Sequence, residues 1–251
     1  MSIVIIVLFF LYGIVFGSFF NVVGLRVPKK ESIVSPPSRC TTCDRKLGVL
    51  DLVPVFSYLF LKGKCRGCGL KISPIYPFME FVTGVLFALS FYMLGFSGEL
   101  VIALLFMSLL VIITVSDIAY MLIPNKVLLP FAVALLGARL FIPLEPWWDS
   151  LLGALIGFSV LYIIAVVSKG GMGGGDIKLF FVIGLMLGTV LTLLTLFVAA
   201  LIGTIAGMII LKRAGKGRKT PIPFGPSIAV AAVIVYFWGA NFVAWYSNLF
   251  F

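Results

Sequence analysis

The sequence predicts an all-α polytopic membrane protein of about eight transmembrane helices, with a small cytosolic four-cysteine loop domain after the first helix. Three observations predict it. Of 251 residues, 62% are apolar and 11% charged, giving a mean hydropathy of +1.22. Apolar runs long enough to cross a bilayer recur along most of the chain. Four cysteines stand as two close pairs in one basic segment. One soluble core of this length would need far more polar surface than the chain owns. Three regions follow: residues 1–25 as the first span, 26–77 as the loop, and 78–251 as the membrane core.

The spans read as Ile3–Val23, Phe78–Phe96, Leu100–Ser116, Val127–Ile142, Leu151–Val167, Ile177–Leu194, Thr195–Leu211 and Ser227–Ser247. No basic residue precedes the first, which marks it as a retained span and not a cleavable signal peptide. The run from Ile177 to Leu211 would extend roughly 52 Å as one helix, against a hydrocarbon core of about 30 Å. It is therefore divided in two, with a tight turn near Gly188–Leu194.

Ten of the 19 basic residues lie between Arg26 and Lys71, just after the first span. Positive-inside logic puts this segment in the cytosol and the N-terminus outside. Eight spans then place Asp117–Lys126, Ser168–Asp176 and Lys212–Pro226 on the cytosolic side as well. Those connections hold Lys126, Lys169 and the cluster Lys212, Arg213, Lys216, Arg218 and Lys219; the outer ones hold Glu99, Glu145 and Asp149. Charge and parity agree at every loop. The net charge of +10 is read as this topology signal plus attraction to anionic lipid, not as a nucleic-acid face.

Cys40-Thr-Thr-Cys43 and Cys65-Arg-Gly-Cys68 have the spacing of a four-cysteine zinc site. Disulfides are the alternative, disfavoured in a reducing compartment. Four thiolates would leave no open coordination position, so the metal is expected to be structural. Lys46, Lys64 and Arg66 are expected to help hold the thiolates charged.

The chain contains no histidine, which excludes Ser-His-Asp triads, Cys-His pairs and HExxH zinc sites. Acid–base chemistry falls first to nine carboxylates. Asp117 ends the third predicted span. Asp176 begins the sixth, after the glycine run that includes Gly173 and Gly175. Both are expected at the cytosolic membrane edge. There, two converging carboxylates can divide the work, one as base toward water and one as acid toward a peptide carbonyl. Each also has a plainer reading, Asp176 as a helix cap and Asp117 as a loop residue. A proton- or cation-coupled small-solute transporter with a zinc-stabilised loop is the competing class, although no internal repeat is evident. A Ser–Lys protease built from Ser168 or Ser18 with Lys169 or Lys126 is a further alternative.

Several motifs in order resemble the type IV prepilin peptidases. They begin with Gly17-Ser18-Phe19-Phe20-Asn21 followed by Arg26 and Pro28. The two cysteine pairs come next, and then Ile72-Ser73, Tyr76-Pro77 and Glu80. Asp117, and finally Gly173-Gly174-Gly175-Asp176 with Lys178, complete the series. The likeness runs over essentially the whole chain. It implies an inner-membrane enzyme that cuts the basic leader from a prepilin or pseudopilin at the cytosolic face, using Asp117 and Asp176. It also implies methylation of the new N-terminus by S-adenosylmethionine. Glu80 is the first candidate for that second site, with Asn21 and Arg26 after it. Two departures stand out: Thr41-Thr42 where a proline is common, and Asn125 where an aspartate is often seen.

Overall fold

A computed structural model describes residues 2–40, 42–169, 171–214 and 222–250. Among them the regular elements are helical: α1 (Ile3–Arg26), α2 (Phe56–Phe60), α3 (Ile75–Leu94), α4 (Gly98–Tyr120), α5 (Asn125–Phe141), α6 (Asp149–Val167), α7 (Gly174–Ala214) and α8 (Gly225–Phe250). Six are long and apolar enough to cross a membrane by length and composition. That six counts α7 once although it contains a break, and omits α5, which has 17 residues. Eight apolar helical segments result, as the sequence predicts. The basic cluster's Lys216, Arg218 and Lys219 lie outside the described residues.

Two compact units divide at Val115/Ser116, inside α4. In the first, α1 and α3 pack antiparallel through small residues. A Cβ on Gly13 would lie 2.6 Å from the Thr83 carbonyl oxygen, and one on Gly17 would lie 2.8 Å from Glu80 Cα. Spaced four apart, these glycines let the backbones approach as closely as membrane helices do. Phe9 stacks on Phe91 with ring centroids 4.5 Å apart, extending the contact toward the far end of the pair. The loop between α1 and α3 holds the four cysteines, a 3-10 turn at Val49–Asp51, and α2.

In the second unit, the fold hinges on Gly188, whose φ of 74° interrupts α7. Phe180 and Thr192 are twelve residues apart, which a straight helix would make roughly 18 Å. Yet a Cβ on Gly157 of α6 would meet both, at 2.7 and 3.0 Å. The chain therefore folds back at Gly188, the first residue of the predicted turn; residues 189–194, assigned from sequence to the sixth span and its turn, belong to the helix that follows. Both new helix ends are capped from outside α7. Arg139 donates to the Met186 carbonyl at 2.9 Å, and Asp149 accepts the Thr189 N–H at 3.1 Å. These are the orphan groups of a helix C-terminus and N-terminus, met by a cation and an anion respectively.

Candidate active site and metal centre

At the opposite end from the Gly188 turn, three helix termini meet. Asp117 lies in the last turn of α4, three residues before its end, and is buried. Below it the chain reverses within a few residues. Met121 N–H bonds the Asp117 carbonyl at 2.8 Å, and the Ser116 hydroxyl donates to the Leu122 carbonyl at 2.6 Å. This tight return brings Ile123 against Gly175 at the start of α7, where a Cβ would lie 2.7 Å from the Ile123 Cβ. Any larger residue at 175 would push the two ends apart.

Asp176 sits in the first turn of α7 and is half-buried. Its N–H donates to the Gly173 carbonyl at 3.1 Å, and its carboxylate lies over Gly173, where a Cβ would stand 3.2 Å from Oδ2. The carboxylate is also within electrostatic reach of Asp117. Two residues on, Lys178 donates to Asn125 Oδ1 at 3.1 Å, tying the start of α7 to the start of α5.

Asp117 has a partner that the sequence does not disclose. The backbone N–H of Gly225, first residue of α8, donates to Asp117 Oδ2 at 2.7 Å. A Cβ on Gly225 would stand 2.8 Å from that oxygen, so glycine is what admits the carboxylate to the helix terminus. An N-terminal N–H is a natural donor to an anion. The residues on either side of this pair, Ile118, Phe224 and Pro226, also line an apolar cavity of about 330 Å³ reaching to Gly203 and Ile210.

The cysteine loop folds into two matching knuckles. Cys40 N–H donates to the Arg45 carbonyl and Asp44 N–H to the Cys40 carbonyl; Cys65 and Leu70, then Gly69 and Cys65, repeat this at 2.8 and 2.9 Å. The fourth residue after each leading cysteine, Asp44 or Gly69, has positive φ. All four Sγ atoms lie within 4.8 Å of one another, and the Cys40–Cys68 and Cys43–Cys65 distances are 3.9 and 4.0 Å. Thiolates around tetrahedral zinc would stand ~3.8 Å apart. No disulfide joins them. The cluster fits a metal ion such as zinc.

Backbone amides act directly on the sulfurs and prevail at two of the four. N–H groups of Cys43 and Thr42 draw the Cys40 thiol down to about 6, and those of Cys68 and Gly67 lower Cys65. Cys43, despite the Arg45 N–H, is pushed up to about 11 by desolvation and the neighbouring sulfurs. Arg66 is occupied elsewhere: Asp51, with its side chain 6% exposed, pairs with Arg45 at 2.9 Å and Arg66 at 3.2 Å, one from each knuckle.

Glu80 and Asn21 fall on the α1–α3 seam. Glu80 is buried, accepts the Val55 N–H at 2.7 Å and packs on Gly17 of α1. Asn21, also buried, donates to the Tyr76 carbonyl at 3.1 Å, while its Oδ1 has no partner among the described residues. Arg26 is further out, bonded to the Ser32 carbonyl at 3.0 Å.

Residues 11–94 match the bacterial peptidase A24 N-terminal domain, and residues 104–208 match the type IV leader peptidase family. Three curated relatives carry the name prepilin leader peptidase/N-methyltransferase. That of Bacillus subtilis is 42% identical over 96% of this chain and 97% of its own. That of Xanthomonas campestris is 33% identical over 93% and 91%, and that of Neisseria gonorrhoeae 33% over 89% and 87%. No solved structure matches the chain. The order of motifs and these similarities over most of each chain agree, and the chain belongs to the type IV leader peptidase family as a multi-pass membrane protein of the prepilin leader peptidase/N-methyltransferase kind.

Proposed function

We propose that this protein removes the basic leader from a prepilin or pseudopilin and then methylates the exposed N-terminal amine. The observation that carries the peptidase half is the placement of Asp117 and Asp176 at one cluster of helix termini, near enough to influence each other. In the proposed step, the ionised aspartate takes a proton from water as the oxygen attacks the scissile carbonyl carbon. The protonated partner donates to the carbonyl oxygen. Collapse of that intermediate breaks the C–N bond, and the amine leaves with a proton from the pair. The apolar cavity beside Asp117 suits a substrate whose cleavage site adjoins a hydrophobic helix. Family membership leaves the transporter reading without support.

The charge map supports an inner-membrane orientation with the N-terminus outside and the cysteine loop and aspartates at the cytosolic face. A zinc ion held by Cys40, Cys43, Cys65 and Cys68 would be structural, since four thiolates fill its coordination. S-adenosylmethionine, when bound, supplies the methyl group. Residues 26–77 would serve this half and residues 78–251 the peptidase. The free Oδ1 of Asn21 is a buried acceptor suited to a bound polar group, with Glu80 positioned to take a proton from the amine and Arg26 near the rim.

Co-expression with a prepilin tests both halves. Asp117→Asn and Asp176→Asn should each lower leader removal ~100-fold or more, and full cleavage by either variant would falsify the pair. Glu80→Gln should cleave normally but yield a mature N-terminus lacking the methyl mass. A normal methyl mass removes Glu80 from the site.

A further inference from the structure

We propose that residues 49–60 form an interfacial membrane anchor, laying Val49, Leu50, Phe56, Leu59 and Phe60 into the phospholipid bilayer beside α3. All five side chains are exposed, Val49 and Phe60 at 85% and 84%. Five large apolar groups on twelve residues of a loop are more than a soluble surface carries without a partner. Val53, Phe56 and Phe60 also border a shallow apolar groove of about 230 Å³.

The depth of this segment identifies the partner. Val55 is held by its N–H to Glu80, the sixth residue of α3. Glu80 in turn packs on Gly17 of α1, where a Cβ would lie 2.8 Å from the Glu80 Cα. Gly17 lies nine residues before Arg26, the basic residue at the end of α1, roughly 13 Å along the helix axis. With Arg26 among the headgroups, Val55 is below them, at the ~5–10 Å depth where amphipathic helices rest, or slightly deeper. On α3 the neighbouring Phe78 and Phe81 are exposed as well, which continues the apolar surface from span to loop. The loop's Lys62 and Lys64 are exposed just beyond α2, where cations meet anionic headgroups.

The backbone at the attachment point is strained in a way that fits a fixed anchor. Val55 has φ of 62°, an uncommon conformation for a β-branched residue. Such a residue persists where its surroundings over-determine it, here by a buried carboxylate on its N–H. The anchor would hold the cysteine knuckles close to the membrane surface, since Asp51 within the same segment binds both.

Photocrosslinking on the full-length protein in vesicles of phosphatidylcholine and phosphatidylglycerol tests this. With p-benzoylphenylalanine in place of Phe60, ultraviolet light should give adducts of phospholipid mass at several times the yield found with the same probe in place of exposed Asp44. Equal yields at the two positions would overturn the proposal, as would adducts that form with added prepilin in place of lipid. Leu59→Glu combined with Phe60→Glu should speed tryptic cutting after Lys62 and Lys64 in vesicles several-fold while zinc content stays the same. An unchanged cutting rate would overturn it too.

Discussion

The Asp117 carboxylate accepts the backbone N–H of Gly225 across 108 residues of sequence, at 2.7 Å. The bond seats the aspartate on the N-terminus of α8, and the absence of a side chain at 225 is a condition of it. Gly225→Ala should therefore lower leader cleavage by about tenfold or more, because a hydrogen bond to a charged group contributes ~1.5–3 kcal/mol. Asp117→Asn should lose ~100-fold or more, the range of a lost acid–base group. Gel assays of prepilin processing in membranes would check both. Wild-type rates in Gly225→Ala would remove this bond from the mechanism.

Metal removal should act on the loop. Cys40→Ser with Cys65→Ser should take bound zinc from one per chain toward none, measured by mass spectrometry, and make residues 26–77 protease-sensitive. Retained zinc would contradict the four-sulfur site.

The pH dependence of zinc retention has a definite sign. Thiolate is the binding form, so protons compete with metal. Cys40, drawn down to about 6 from a usual 9.0, is already ionised at neutral pH. Relative to the unfolded chain, Cys40 in the folded metal-free loop binds fewer protons between pH 6 and 9, whereas Cys43, pushed up to about 11, binds more between pH 9 and 11. The Cys40 contribution to stability is thus present above pH 9 and declines as pH falls through 6. Zinc content measured after dialysis should hold at pH 7.5 and drop below pH 6. A profile flat down to pH 5 would contradict this.

Asp51 and Asp44 both make ion pairs in the loop, and they should behave differently. Asp51 is shielded and links Arg45 to Arg66, so Asp51→Ala should weaken the loop by ~1–3 kcal/mol as two cations lose their buried partner. The Arg39–Asp44 pair is exposed on both sides, and Asp44→Ala should cost ~0–1 kcal/mol. Rates of zinc loss to a chelator would rank the two variants, and equal rates would refute the distinction.

At the far end, Gly188→Ala puts a Cβ into the space taken by the Asp149 carboxylate, at a φ of 74°. Asp149→Ala removes the cap on Thr189 and should cost ~1 kcal/mol. Gly188→Ala should cost more, since it adds strain and displaces the cap as well. Thermal unfolding in detergent should show that order, and the reverse would argue against the Gly188 turn.

Much of the architecture is written locally. Spanning length, the break in an overlong apolar run and the two cysteine pairs are periodicities and spacings within short windows, so sequence alone determines them. Gly188 breaks α7 where the length argument required a break, and Asp117 and Asp176 stand at the helix ends expected of them. Some residues could be read but not assigned a partner. Asp51, Arg139 and Asp149 carried no signal beyond their charge, because what they bind is backbone or side chains brought near by folding.

The tertiary structure alone decided the rest. A sequence can show Gly225 as part of a Pro-Phe-Gly-Pro turn, but not that its N–H meets Asp117 from over a hundred residues away. Glu80 likewise reads as an acid near a helix start, and becomes a clasp once Val55 is delivered to it. Hydrophobic length and charge asymmetry act through the bilayer, which every span meets independently, so they are legible residue by residue. Hydrogen bonds between distant helix termini depend on which ends converge, and convergence is a property of the packed chain.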